Sequence, residues 1–268
     1  MPSNPKNSEP WWGTFQIPMG TGARWEIGPL SLWIERRREY WTVMRDREDD
    51  PFLHRSSVAI PAESWEPVPG KTERYGAARE SGSLKIRPMH ADRPVVITPE
   101  EPLTLPPKRT IHLYVSLPLW YQVIDGEEGV PFIDEAVVRP SDTWHGPNTR
   151  VGQLCYASRT RANVDPVGRL PHRVVAPLEV RNGSETDLRV ERIRLPTPYL
   201  SIFADERREL WTEAVVFEKA EGQAQADIRI EPDPRPQGQK LELLSAPRLK
   251  AEKKFVWHAF GEIFGTGW

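Results

Sequence analysis

The sequence predicts an all-β protein, and three observations predict it. Its 268 residues include 28 prolines and 18 glycines, about 17% of positions against an average near 12%. Each interior proline costs a helix roughly 3 kcal/mol, so long helices are confined to a few proline-free windows. Eleven tryptophans, together with many β-branched residues, suit a pleated, half-buried surface. Short strand-length runs recur between the proline and glycine positions at a spacing of roughly 8–12 residues, as in sandwiches and barrels. The expected architecture is two β-sandwich-like units packed together, followed by one amphipathic helix.

The elements follow in order. Residues 25–27 lead into the turn signal Gly28-Pro29, and residues 30–35 (LSLWIE) alternate with period 2. Leu30, Leu32 and Ile34 share one side of that strand, and Trp33 points to the other. Residues 40–44 (YWTVM) make its antiparallel partner beyond the charged stretch 36–39. Residues 83–87, 95–98 and 109–117 are further strands; in the last, Ile111, Leu113, Val115 and Leu117 line one face. In the second half, runs 152–158, 173–176, 178–181, 188–195, 200–203, 211–218 and 226–230 are strand-length. Asn182-Gly183 begins a polar hairpin connection over 182–187. Along 188–195 the apolar set changes face between Val190 and Ile193, where a bulge is expected.

The run 125–129 (DGEEG) is the cleanest boundary, which divides the chain into a unit over 11–130 and a second over 131–245. One continuous two-sheet structure is the alternative. Residues 248–265 are expected as the helix: Phe255, Val256, Ala259, Phe260, Ile263 and Phe264 form one stripe, and Lys250, Lys253 and Lys254 flank its start. Phe255, Trp257, Phe260 and Phe264 are its candidate partner-binding residues, directed to a groove on another protein, to a membrane surface, or back onto the sandwich edge.

Composition excludes several classes of function. With 36 basic against 38 acidic side chains and a formal charge of −2, no field recruits nucleic acid. One cysteine excludes an internal disulfide framework and a zinc site built on several thiolates. No apolar run approaches the length of a transmembrane helix, and the first ten residues show no secretory signal, so the cytoplasm is the expected compartment. Gly20-Thr21-Gly22 lacks the rest of a nucleotide loop, and no serine sits in a G-x-S-x-G elbow. The six histidines show no ligand spacing. Neither a cofactor nor a metal is expected.

The densest chemistry lies in residues 139–156 (RPSDTWHGPNTRVGQLCY). One reading is a loop offering Arg139, His145 and Arg150 to an anion, with Asp142 orienting His145; Trp144 and Asn148 complete this candidate ligand-binding set. A second pairs His145 with Cys155 as base and nucleophile. A third is purely structural: a turn wound by Gly146-Pro147, Trp144 in the core, and Cys155 buried as a small hydrophobe. The tryptophans suggest one more reading, since Trp11, Trp12, Trp25, Trp33, Trp41 and Trp65 fall early in the chain and aromatic rows on a sheet face stack sugars.

This block, with residues 102–107 ahead of a strand and residues 180–184 through 195–196, resembles the prokaryotic domain-of-unknown-function 432 family. The resembling pieces span residues 25–230. The resemblance implies no reaction and transfers no catalytic residue. Genes of that family can lie near those of mechanosensitive channels, which implies an association with a membrane channel. The expected function is therefore that of a non-catalytic cytoplasmic interaction or accessory protein with an unidentified protein partner. The alternative is a carbohydrate- or small-anion-binding module. An enzyme built on His145 and Cys155 is the remaining reading.

Overall fold

A computed structural model of the chain describes residues 10–62, 70–77, 82–146, 150, 152–160, 163, 169–222, 226–234, 240–250 and 257–258. In chain order the strands begin with β1 (Gly13–Gln16), β2 (Gly22–Ile27), β3 (Leu30–Arg36), β4 (Tyr40–Arg47), β5 (Ser56–Ala59) and β6 (Thr72–Gly76). They continue with β7 (Ser83–Met89), β8 (Val95–Pro99), β9 (Leu103–Leu105), β10 (Thr110–Pro118), β11 (Trp120–Asp125) and β12 (Ile133–Ala136). Next come β13 (Ser141–His145), β14 (Gln153–Thr160), β15 (Arg173–Asn182), β16 (Leu188–Val190), β17 (Ile193–Leu195) and β18 (Ile202–Ala204). The last are β19 (Leu210–Trp211), β20 (Glu213–Lys219), β21 (Asp227–Pro234), β22 (Glu242–Ser245) and β23 (Trp257–His258). Among the described residues the one helical element is a 3₁₀ turn, Thr197–Tyr199. The all-β expectation is met.

The expected helix over 248–265 is not supported. Most of it lies outside the described residues, and Trp257–His258 form the extended strand β23, paired antiparallel with β21 at Ile228↔Trp257. Residues 248–250 are not helical either.

The chain groups into two compact units. The first takes the described residues up to 89, with 119–139 and 170–172; the second takes 90–118, 140–169 and those from 173 onward. The linker composition at 125–129 draws each unit as one continuous stretch, whereas the strands interleave, β8 to β10 in the second unit and β11 and β12 in the first.

In the first unit a four-stranded sheet runs β1-β7-β11-β12 and a five-stranded sheet runs β5-β2-β3-β4-β6. Period-2 alternation builds the five-stranded one. The registers Trp25↔Leu32 and Ile34↔Val43 put Ala23, Trp25, Ile27, Leu30, Leu32, Ile34 and Val43 on one fully buried face, each large side chain stabilising by about 1.5–3 kcal/mol. Trp33 takes the other face, as its parity predicts, with the Arg24 guanidinium 4.9 Å over its ring. Phe15 of β1 meets Trp25 of β2 edge-on at 5.4 Å. A charged network also joins the two sheets. Arg45 donates to Glu73 (3.0 Å) and Tyr75 (2.7 Å) and pairs with Glu135 at 3.1 Å. Arg47 pairs with the same Glu135 at 3.0 Å, and the Tyr121 hydroxyl donates to it at 3.3 Å.

In the second unit the largest sheet runs β22-β18-β19-β15-β20-β21-β23, with β10 also on β15; β13-β14-β8-β17 make a second sheet and β16-β9 a third. β15 runs unbroken through Pro177, where separate strands over 173–176 and 178–181 were expected. The register beside it passes from Val175↔Trp211 to Leu178↔Val215, so one extra residue on that side interrupts the ladder opposite Pro177. A residue without an N–H is tolerated at such a gap. The stretch 188–195 is likewise not one bulged strand. β16 pairs with β9 and β17 with β8, so the change of face is a change of sheet. Residues 182–187 do not close a hairpin. Instead the Asn182 amide donates to the carbonyls of Leu105 (2.9 Å) and Thr186 (2.8 Å), while its oxygen accepts from Ser184.

Candidate functional site

The segment that the sequence singles out is a strand pair rather than a loop. β13 pairs antiparallel with β14 at Thr143↔Cys155, Trp144↔Leu154 and His145↔Gln153. β14 runs parallel to β8 (Tyr156↔Val95), and β17 closes the other side (Arg194↔Val96). Because paired residues share a face and successive residues alternate, one face carries Asp142, Trp144, Leu154 and Tyr156. The opposite face carries Thr143, His145, Gln153, Cys155 and, across Val96, Arg194. Gly152, just ahead of β14, lies so close to β13 that a Cβ on it would fall 2.6 Å from Trp144 Nε1 and 2.7 Å from the His145 carbonyl oxygen.

The first face opens to solvent. Trp144 and Leu154 are 40% and 42% exposed. Beside them Arg93 pairs with Asp142 at 3.3 Å and lies 4.9 Å over the Tyr156 ring. Burial and then a hydrogen bond to Asp92 push the Tyr156 phenol up. Asp142 thus serves Arg93 and does not orient His145, which faces the other way; that expectation is corrected. Trp144 is not a core plug.

The second face is buried and cationic. His145 is 4% exposed and its ring Nε2 has no hydrogen-bond partner among the described residues. Burial, helped by Arg194 and Arg192, lowers its pKa to about 4, so the ring is neutral near pH 7. Arg194, also 4% exposed, donates to Gln153 Oε1 at 2.7 Å. Arg192, just ahead of β17, donates to Thr143 Oγ1 at 3.1 Å and to the Trp144 carbonyl at 3.2 Å. Cys155 is fully buried, and burial pushes its thiol up against the opposing pull of Arg194, Arg192 and Arg93. Its thiol hydrogen bond goes to the Gln153 carbonyl at 3.5 Å. A protonated, enclosed thiol bonded away from His145 is not an activated nucleophile.

Arg139 belongs to the first unit, where it pairs with exposed Asp49 at 3.1 Å and donates to the Arg47 carbonyl at 3.4 Å. Arg150 is exposed. Asn148, Phe255, Phe260 and Phe264 lie outside the described residues, and Trp257 is described only as part of β23. Sequence reasoning missed Arg93, Arg192, Arg194 and Gln153. Of the tryptophans considered for sugar stacking, Trp11, Trp25 and Trp41 are fully buried, and Trp12 packs edge-on against Trp11; Trp65 is outside the described residues. A separate groove of about 160 Å³ lies over β10, β15, β20 and β21, lined by Tyr114, Pro177 and Leu178 with His112, Glu179 and Glu231. Among the described residues no cluster of three His, Cys, Asp or Glu side chains is placed to hold a metal ion. No described helix is long and apolar enough to cross a membrane.

A family model described as a protein of unknown function (DUF432) matches residues 11–264 of the chain. No curated protein and no solved structure matches it.

Proposed function

The chain belongs to the DUF432 family, and we propose that it is a non-catalytic interaction protein of the cytoplasm whose partner docks on the outer face of β13 and β14. One observation carries this reading. Trp144 and Leu154 oppose each other across the strand pair, are exposed, and stand at the edge of their sheet, where β13 is the terminal strand. Large apolar side chains held side by side on a rigid edge are the usual anchors of a protein interface. The flanking Arg93 and Asp142 supply the polar rim. The occupant in this reading is an extended segment of another protein with an apolar side chain set over Trp144, and a membrane channel is the candidate that the family resemblance suggests. The same reading includes sheets packed as sandwiches. In the first unit the Phe15–Trp25 contact and the Arg45 network between the sheets support it.

The test compares wild type with Trp144→Ser/Leu154→Ser as baits in the native cell extract, after near-ultraviolet circular dichroism has shown both folded. A protein held by the wild type and lost with the variant supports the reading. Identical captures with both baits overturn it.

A further inference from the structure

We propose that the groove over β10, β15, β20 and β21 is a binding site for a primary ammonium group carried on a short aliphatic stem. Its shape follows from side-chain size and parity. The registers Tyr114↔Pro177, Glu179↔Val216 and Val216↔Arg229 put Tyr114, Pro177, Ala214 and Glu231 on one face, on four neighbouring strands. Two small, buried residues, Pro177 and Ala214, thus lie between the larger Tyr114 and Glu231. The ladders are interrupted on both sides of Ala214. Val175↔Trp211 gives way to Leu178↔Val215, and Glu213↔Pro234 to Val215↔Ile230. Irregularities of this kind bend a strand and re-aim its side chains. The result is a cavity of about 160 Å³, well below the roughly 300–1,000 Å³ of sites for drug-sized ligands. What fits it is about the size of one side chain.

Charge is the first argument. Two other glutamates of this face are met by arginines: Glu179 pairs with Arg181 at 2.5 Å, and Glu218 with Arg229 at 3.0 Å and Arg181 at 3.7 Å. Glu231 makes no hydrogen bond or ion pair among the described residues, although the charge of Arg181 reaches it. Neither a lysine nor an arginine lines the cavity, whereas Glu231, Glu179 and His112 do. A half-buried carboxylate in that position is matched by a cation from outside, because charge-assisted hydrogen bonds are about twice as strong as neutral ones. An anionic ligand would instead meet repulsion from both glutamates.

The apolar floor is the second and independent argument. Beside the carboxylates lie the side chains of Tyr114, Pro177 and Ala214. A lysine-like ligand lays its methylenes along such a surface and keeps its charged head at the polar end, and the face of a tyrosine ring attracts the ammonium. The same sheet face already holds one cation in this way. The Arg169 guanidinium lies 5.0 Å over the Trp211 ring, and Trp211 meets Tyr114 edge-on at 6.3 Å. A primary ammonium brings three donors, enough to serve Glu231 and Glu179 together. His112 is exposed and both glutamates are half-buried, so the groove opens on their side.

This site shares no residue with the partner surface, since Trp144 and Leu154 belong to another sheet. The probe is n-butylammonium chloride, titrated into the full chain while the Ala214 methyl group is followed by ¹H–¹³C correlation. Sodium chloride at equal ionic strength and n-butanol, the neutral isostere, are the controls. A saturable shift with half-saturation in the roughly 1–10 mM range of a small ligand, absent with both controls, supports the proposal. Glu231→Gln, which keeps the shape and removes the charge, should weaken binding about tenfold. Trp144→Ser/Leu154→Ser should leave it unchanged, so the two proposals fail separately. Nα-acetyl-lysine N-methylamide and 1,5-diaminopentane then distinguish the sources. Tighter binding of the first assigns the site to a lysine of another protein, and equal or weaker binding to a free amine. No saturable Ala214 shift with any of the three amines overturns the proposal. So does a shift that n-butanol reproduces, or an affinity that Glu231→Gln leaves unchanged.

Discussion

Replacing Gly28 by alanine probes how tightly the first unit is closed. Gly28 has φ +53°, and a Cβ there would fall 2.5 Å from Cε1 and Cγ of His172 and closer still to Nδ1. The imidazole has no room to retreat: it is fully buried, with Nε2 2.9 Å from the Pro51 carbonyl. The Gly28 backbone is pinned as well, its N–H donating to the Arg55 carbonyl at 2.8 Å and its own carbonyl accepting from Arg55 Nε at 3.1 Å. Left-handed backbone costs a residue with a side chain about 1–2 kcal/mol, and overpacking a dense core costs about 1–3 kcal/mol more. Gly20 is the control, with φ +76° but no atom within 4 Å of its would-be Cβ. Gly20→Ala therefore meets only the backbone cost, and the entropy removed from the unfolded chain is common to both changes. Equilibrium urea unfolding should place Gly28→Ala about 1–3 kcal/mol below Gly20→Ala. Adding His172→Ala to each variant should recover that difference as a coupling energy. If the two alanine variants agree within ~0.5 kcal/mol, the steric reasoning is refuted.

Acid should destabilise the second unit in a defined window. Burial, aided by Arg248, holds the pKa of His90 down at about 4, so the unfolded chain takes up that proton first; the stabilisation is complete above about pH 6.5 and is lost as pH falls toward 4, at up to ~1.4 kcal/mol per pH unit. His90→Gln should flatten that slope in denaturant midpoints taken across the window, and an unchanged slope would count against it. Arg45→Met should cost about 2 kcal/mol by removing hydrogen bonds to Glu73 and Tyr75 and a pairing with Glu135. Arg139→Ala, which loses an exposed pair with Asp49 and a long, exposed hydrogen bond to the Arg47 carbonyl, should stay within ~0.5 kcal/mol; equal losses in the two variants would contradict this ranking. Cys155, enclosed and with its thiol pushed up, should react with a thiol reagent at neutral pH only after denaturant is added. Fast labelling of the native protein would contradict that.

What was legible in the fold was local. Parity along 30–35 placed Trp33 opposite Leu30, Leu32 and Ile34, and β2, β3 and β4 follow the turn and alternation signals closely. What was not legible depends on pairing at long range. Pro177 reads as a strand break until the ladder beside it is seen to be interrupted there. The change of face in 188–195 reads as a bulge until β9 and β8 are known to be the separate partners of its two halves. The tail reads as a helix because Phe255, Ala259 and Ile263 fit a helical stripe, yet Phe255, Trp257 and Ala259 also alternate. Periodicity alone does not separate these readings over a short apolar run.

At the candidate site, residue type singles out His145 but does not identify its partners, and parity explains why. Asp142 and His145 are three positions apart, so once 141–145 is a strand they must face opposite sides. Reading the segment as a loop discarded that constraint. The arginines that do approach His145 lie far along the sequence but announced themselves differently. Ile193, Arg194 and Leu195 are all buried, so this strand is covered on both faces and its arginine sits where an apolar residue would be expected. A cation kept at such a position must be solvated by something other than water. Gln153 supplies one such group, accepting from the Arg194 guanidinium at 2.7 Å.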